Sequence, residues 1–98
     1  MPPVEVRELL DDENNRLGEA EYLDGRLHGR SRLWTKAGVL IEESHYRAGE
    51  HDGSYRTWWD HGTPKEEGTY LKGQRTGIYR WYAQDGSLLC EHDYGDAE

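Results

Sequence analysis

Residues 46–70 read YRAGEHDGSYRTWWDHGTPKEEGTY, running from Tyr46 to Tyr70, and both end residues belong to a column that repeats along the chain. Tyr22, Tyr46, Tyr70 and Tyr94 stand 24 residues apart. Glycines keep the same step as Gly25, Gly49, Gly73, as Gly29, Gly53, Gly77 and as Gly38, Gly62, Gly86. Trp34, Trp58 and Tyr82 form an aromatic column, Arg32, Arg56 and Arg80 a basic one, and Glu19, Glu43, Glu67 and Glu91 an acidic one. So many columns in register define a repeat of the form YxxGxxxGxxRx(W/Y)xxxGxxxxExx.

A 24-residue unit interrupted by glycine at three fixed points is too short and too broken for a pair of helices. It predicts a β-hairpin. In the quoted copy one strand is expected near Gly53–Trp58 and a second near Pro64–Tyr70, with a turn between them through residues 59–62. The pairs Asp24–Gly25, Ala48–Gly49 and Asp85–Gly86 supply residues that tolerate the positive φ of tight turns. The fold class is therefore all-β, an antiparallel meander of repeated β-hairpins with a 24-residue period.

Units fall at residues 22–45, 46–69 and 70–93, followed by an acidic tail at 94–98. The same frame laid backward puts Leu10 in the aromatic column, Asn14 in a glycine column and Glu19 in the acidic one. Residues 4–21 thus read as a degraded N-terminal cap repeat, since terminal repeats are commonly atypical. Residues 1–98 make a single domain, because a chain of this length cannot split its apolar residues between two cores.

Two-residue alternation sorts each hairpin into faces. One carries the Tyr column with Tyr55, Tyr79, Trp81, Leu33, Leu40, Leu88 and Cys90, over glycines that leave room for rings to lie flat. The other carries Trp34, Trp58 and Tyr82, the Arg and Glu columns, and Ile41 and Leu89. This explains how a chain only 34% hydrophobic, with no Phe and 12 Gly, is expected to pack at all.

The formal charge of -8 is confined to the ends. Residues 1–13 hold five acids and Arg7, residues 91–98 hold four acids and no base, and residues 14–90 balance 11 acids with 11 bases. Acidity counts against nucleic acid and anionic membranes as partners and favours a basic protein. Charged ends also discourage edge-to-edge aggregation of an open sheet, while pairing of edge strands into a homo-oligomer stays open. The N-terminus lacks the basic and apolar regions of a signal peptide, and one cysteine suits a reducing compartment, so a cytoplasmic protein is expected.

No catalytic constellation emerges. Five histidines lie in different columns at turns or strand ends and read as solvated rather than as metal ligands. Cys90 reads as a packing residue in the slot of Glu42 and Glu66. The neighbours Glu42–Glu43 and Glu66–Glu67 point to opposite faces and cannot share a proton. No cofactor or metal site is expected, and the chain reads as a non-enzymatic binding protein.

The unit with its following aromatic, glycine and glutamate resembles the MORN-type repeat, in the variant found in bacterial proteins of the YwqK antitoxin-like family. The resemblance spans residues 14–94. It departs at Pro64 and Lys65, which replace the apolar pairs Leu40–Ile41 and Leu88–Leu89 and predict a looser third hairpin. It implies an antitoxin or immunity protein that binds and neutralises a partner protein, a basic toxin being the natural target. The alternative it implies is a structural scaffold or membrane-associated interaction module. Among aromatics, Trp59 falls outside the columns and is the first candidate for a partner contact, with Trp58 and Arg56 beside it. The ladder of Arg32, Arg56 and Arg80 with Trp34, Trp58 and Tyr82 is the wider candidate face.

Overall fold

The computed structural model describes residues 4–96, which form nine strands and no helix. These are β1 (Glu5–Leu10), β2 (Arg16–Leu23), β3 (Arg26–Trp34), β4 (Leu40–Arg47), β5 (Glu50–His51), β6 (Gly53–Trp58), β7 (Pro64–Leu71), β8 (Gln74–Tyr82) and β9 (Leu88–Asp93). All pairings are antiparallel within one sheet of order β1-β2-β3-β4-β6-β7-β8-β9, with the short β5 paired to β4. The meander expected from the spacing is the observed topology, and the hairpin expected in the quoted stretch is β6–β7.

Two turn types alternate along it. The tight ones place both central residues at positive φ, as at Asp24–Gly25 (52° and 79°), Ala48–Gly49 (49° and 88°) and Lys72–Gly73 (51° and 82°). That geometry matches the twist of the flanking strands. Ala48 and Lys72 adopt it against a steric penalty of about 1 kcal/mol each, so the repeat imposes the turn on residues that do not favour it. Asp85–Gly86 belongs to the other type, because only Gly86 is at positive φ. There the amide of Ala83 donates to the Ser87 carbonyl at 2.8 Å and Gly86 donates back to Ala83 at 3.0 Å. The same two bonds close the loops at Thr35–Val39, Trp59–Thr63 and Asp11–Asn15, where Asn14 takes the glycine position with φ 66°.

Each wide loop is followed by a bulge. Leu17, Ile41, Lys65 and Leu89, again 24 residues apart, are skipped between the pairs Leu10↔Arg16 and Leu9↔Gly18 and their counterparts. Strict alternation fails at these positions. Ile41, expected on the Arg face, accordingly lines a groove with Tyr-face residues. Lys65 carries the bulge of its hairpin just as Ile41 and Leu89 do, so the Pro64–Lys65 departure leaves the backbone pattern intact.

The molecule measures 38 × 37 × 14 Å, and the strands of the described residues all belong to one sheet, so the fold is a single flat layer with no second sheet packed against it. Its accessible surface of 6620 Å² exceeds the roughly 5,800 Å² of a compact monomer of this mass. Among the described residues only Gly18, Ser44, Thr57 and Tyr79 are buried, and Tyr79 is the one large side chain of the four. The hydrophobic centre is thus one ring and its surroundings.

Candidate functional site

Register sorts the side chains into two faces, because directly opposed residues lie on the same side of a sheet. On one side runs the charged row Glu8, Glu19, Arg32, Glu43, Arg56, Glu67, Arg80, Glu91, strand by strand. Arg32 bonds Glu43 at 2.9 Å and approaches Glu19 at 3.8 Å, while Arg80 bonds Glu91 at 3.0 Å and approaches Glu67 at 3.6 Å. Tyr82 donates to the Glu67 carboxylate at 2.6 Å, which raises its own pKa. The Arg16 guanidinium covers Trp34 at 4.7 Å. Each such contact contributes at most about 1 kcal/mol, so the row fixes register more than it stabilises. Arg56 is the exception: exposed, it makes no ion pair among the described residues although it sits between Glu43 and Glu67.

On the opposite side Tyr79 is fully buried, with Tyr55 stacked at 6.4 Å, Tyr70 and Tyr94 edge-on at 6.4 and 6.1 Å, and Trp81 at 4.7 Å. Arg75 lies over the Tyr79 ring at 4.6 Å and donates to the hydroxyls of Tyr70 at 3.2 Å and Tyr94 at 3.0 Å. Next to this cluster His51 is stacked between Tyr46 at 4.4 Å and Tyr70 at 4.7 Å, and its burial holds its pKa below the ordinary value. His51 is therefore a packing residue rather than a solvated one, because tight-turn geometry folds β5 back against β4 and lays the ring across the Tyr column. Cys90 differs in the reverse sense. Expected to pack, it is exposed, since β9 is an edge strand of the described sheet and every one of its residues is exposed.

The third row of this face reads Leu33, Glu42, Thr57, Glu66, Trp81, Cys90. Tyr55 donates to Glu42 at 3.2 Å, while Thr57 and Tyr79 donate to Glu66 at 3.1 and 3.4 Å. Neither carboxylate makes an ion pair among the described residues. Burial, reinforced by these two carboxylates, pushes the Tyr55 pKa well above the ordinary phenol value, and burial and Glu66 do the same at Tyr79. Glu42 and Glu43 point to opposite faces as alternation requires, one held by a hydroxyl and the other by Arg32.

Beside this row, toward the wide-loop end of the sheet, an open groove of about 580 Å³ is lined by Leu33, Ile41, Tyr55, Thr57, Trp58, Trp59, Glu42 and Glu66, with Thr35, Asp60, Lys65 and Gln84 at its margins. Trp59 is half-buried there: its indole N–H donates to the Tyr82 carbonyl at 3.3 Å, and the Lys65 ammonium lies over its ring at 4.7 Å. The structure therefore divides the residues proposed from sequence. Arg32, Arg56, Arg80, Trp34 and Tyr82 belong to the charged side, and Trp58 and Trp59 line the groove. Glu42, Glu66 and Tyr55 complete the groove, and the signal that marks them is the 24-residue spacing of Glu42 to Glu66 and of Tyr55 to Tyr79. No group of three or more His, Cys, Asp or Glu side chains among the described residues is placed to hold a metal ion.

Chemically the groove offers aromatic walls and two carboxylates held by neutral donors, a surface for recognition. The fold and this surface define a β-hairpin repeat protein with an open single-layer sheet. Residues 52–72, which hold β6 and β7, and residues 75–96, which hold most of β8 and all of β9, are similar to the MORN repeat variant. No curated protein and no solved structure matches the chain.

Proposed function

We propose that the protein is a non-enzymatic module that binds a partner protein through the groove at the wide-loop end of the Tyr face. The observation that carries this reading is a one-layer sheet whose surface exceeds that of a compact monomer, with half-buried Trp58 and Trp59 at an open groove. Aromatic side chains in such settings supply most of the binding energy in protein interfaces. The MORN repeat variant in two hairpins fits an interaction module rather than a catalyst. The likeness of the repeat to the YwqK antitoxin-like family directs the reading further, toward neutralisation of a toxic partner by occlusion in the cytoplasm.

The test is expression of the product of the neighbouring gene, alone and together with this protein. Arrest of growth by the neighbour, rescue on co-expression, and co-elution of the two proteins are the expected results. Trp59→Ala should weaken rescue without shifting the far-UV circular dichroism spectrum. A neighbour that is harmless, or one that is toxic but neither rescued nor bound, would sink the antitoxin reading.

A further inference from the structure

We propose that the groove receives an arginine or lysine side chain of the partner protein, seated between Glu42 and Glu66 against the rings of Tyr55 and Trp59. This deepens the protein-binding reading above and rests on it.

The two faces differ in how their carboxylates are paired. On the charged side Arg32 and Arg80 pair with Glu19, Glu43, Glu67 and Glu91. On the Tyr face Glu42 and Glu66 are half-buried and receive only hydroxyl donors, from Tyr55, Thr57 and Tyr79. A carboxylate withdrawn from water gains far more from a cation than from a neutral hydroxyl. Each carboxylate has an oxygen that accepts no hydroxyl or a site beside it left for a further donor, since a carboxylate accepts about four bonds in all.

Spacing fits a single occupant. Glu42 and Glu66 both oppose Thr57, so they stand two strands apart, at about 9.6 Å along the sheet. A guanidinium or ammonium entering over Thr57 reaches toward both. Its aliphatic stem meets Leu33, Ile41 and Tyr55, which line the same groove. Trp59 is held with its indole N–H on the Tyr82 carbonyl, leaving the ring as a fixed wall, and Lys65 already lies over it as a cation does over an indole. Asp60 at the margin adds a third negative charge against the single Lys65. The hydroxyl bonds orient both carboxylates before the partner arrives, so little ordering is required on binding.

A minimal probe is the peptide Gly-Arg-Gly-Arg-Gly, with Gly-Cit-Gly-Cit-Gly as its uncharged counterpart, titrated into the full-length 15N-labelled protein at low salt. The arginine peptide should move the Trp59 indole N–H and the amides of Tyr55, Thr57 and Glu66, and the citrulline peptide should bind about tenfold more weakly. E42Q/E66Q removes both charges while each side chain keeps one oxygen that accepts a hydroxyl, and it should weaken the arginine peptide by about tenfold. D12N/D96N removes two charges outside the groove and should change affinity less than about twofold. If E42Q/E66Q fails to fold, Glu42→Gln alone should lose about threefold. Equal binding of the two peptides, equal losses in the two double variants, or shifts confined to the acidic ends would each overturn the proposal. A partner that rescues and co-elutes equally well with E42Q/E66Q would overturn the basic side chain while leaving protein binding standing. Groove-mapped arginine binding with no partner protein bound would have the opposite meaning.

Discussion

Gly68→Ala tests whether the sheet is held by a ring lying on a glycine. Gly68 is in β7, and a Cβ built on it falls within the Tyr79 ring, 2.8 Å from Cγ and nearer still to two other ring carbons. The ring has little room to retreat, because it is fully buried beneath Arg75 and flanked by Tyr55, Tyr70, Trp81 and Tyr94. Overpacking of this kind costs about 1–3 kcal/mol. The alanine regains about 0.4–1 kcal/mol by restricting the unfolded chain, because Gly68 is not at positive φ and its backbone suits any residue. The net expectation is a loss of about 1–2 kcal/mol, or about 4–16 °C in Tm for a domain of this size. Thermal and urea melts of wild type, G68A, Y79L and G68A/Y79L measure it. Leucine relieves the clash, so the double variant should be at least about 1 kcal/mol more stable than additivity predicts. A neutral or stabilising Gly68→Ala would show that Tyr79 does not lie on Gly68, and the one-ring core would be wrong.

The remaining predictions concern protons and access. Burial lowers the His51 pKa from its ordinary 6.5, so the folded state favours the neutral ring and stability is lost as pH falls below about 6.5. His51→Phe keeps the stack between Tyr46 and Tyr70 and should flatten urea stability between pH 7 and 5; an unchanged slope refutes the assignment. Burial raises Tyr46, Tyr55 and Tyr79, so stability should hold up to about pH 10 and fall above it, as the unfolded chain ionises first. A melting temperature that stays level from pH 9 to 11 would contradict this. Cys90, exposed on β9, should react with a thiol reagent in native buffer about as fast as in urea, and a reaction that waits for unfolding would contradict its placement.

Much of the fold was legible because glycine and tyrosine mark backbone geometry directly. Gly29, Gly53 and Gly77 adopt φ of 109°, 116° and 68°, conformations that other residues rarely take, so the backbone itself requires the glycine column that marks the repeat. Asn14 at φ 66° follows the same logic. The bulges at Leu17, Ile41, Lys65 and Leu89 were not legible, since no residue type is required of an extra position in a strand. Missing them misplaced Ile41, and with it the groove, and also Leu40 and Leu88, which oppose Trp34 and Tyr82 on the charged side rather than lying on the Tyr face as expected. His51 was misread for another reason: beside Asp52 it looks solvated in sequence, and only the return of β5 onto β4 brings Tyr46 and Tyr70 to its two faces. Trp59 stood out by falling between columns, and its anchoring through Tyr82, 23 residues away, is a contact the period itself implies.

Binding through either face requires the sheet to be one open layer. Small-angle X-ray scattering of the monomer measures this most directly, since the described fold has a Cα radius of gyration of 14.9 Å whereas a compact domain of 98 residues has about 13 Å. A value close to 15 Å with the scattering of a flat particle is predicted, and about 13 Å with the scattering of a sphere would contradict it.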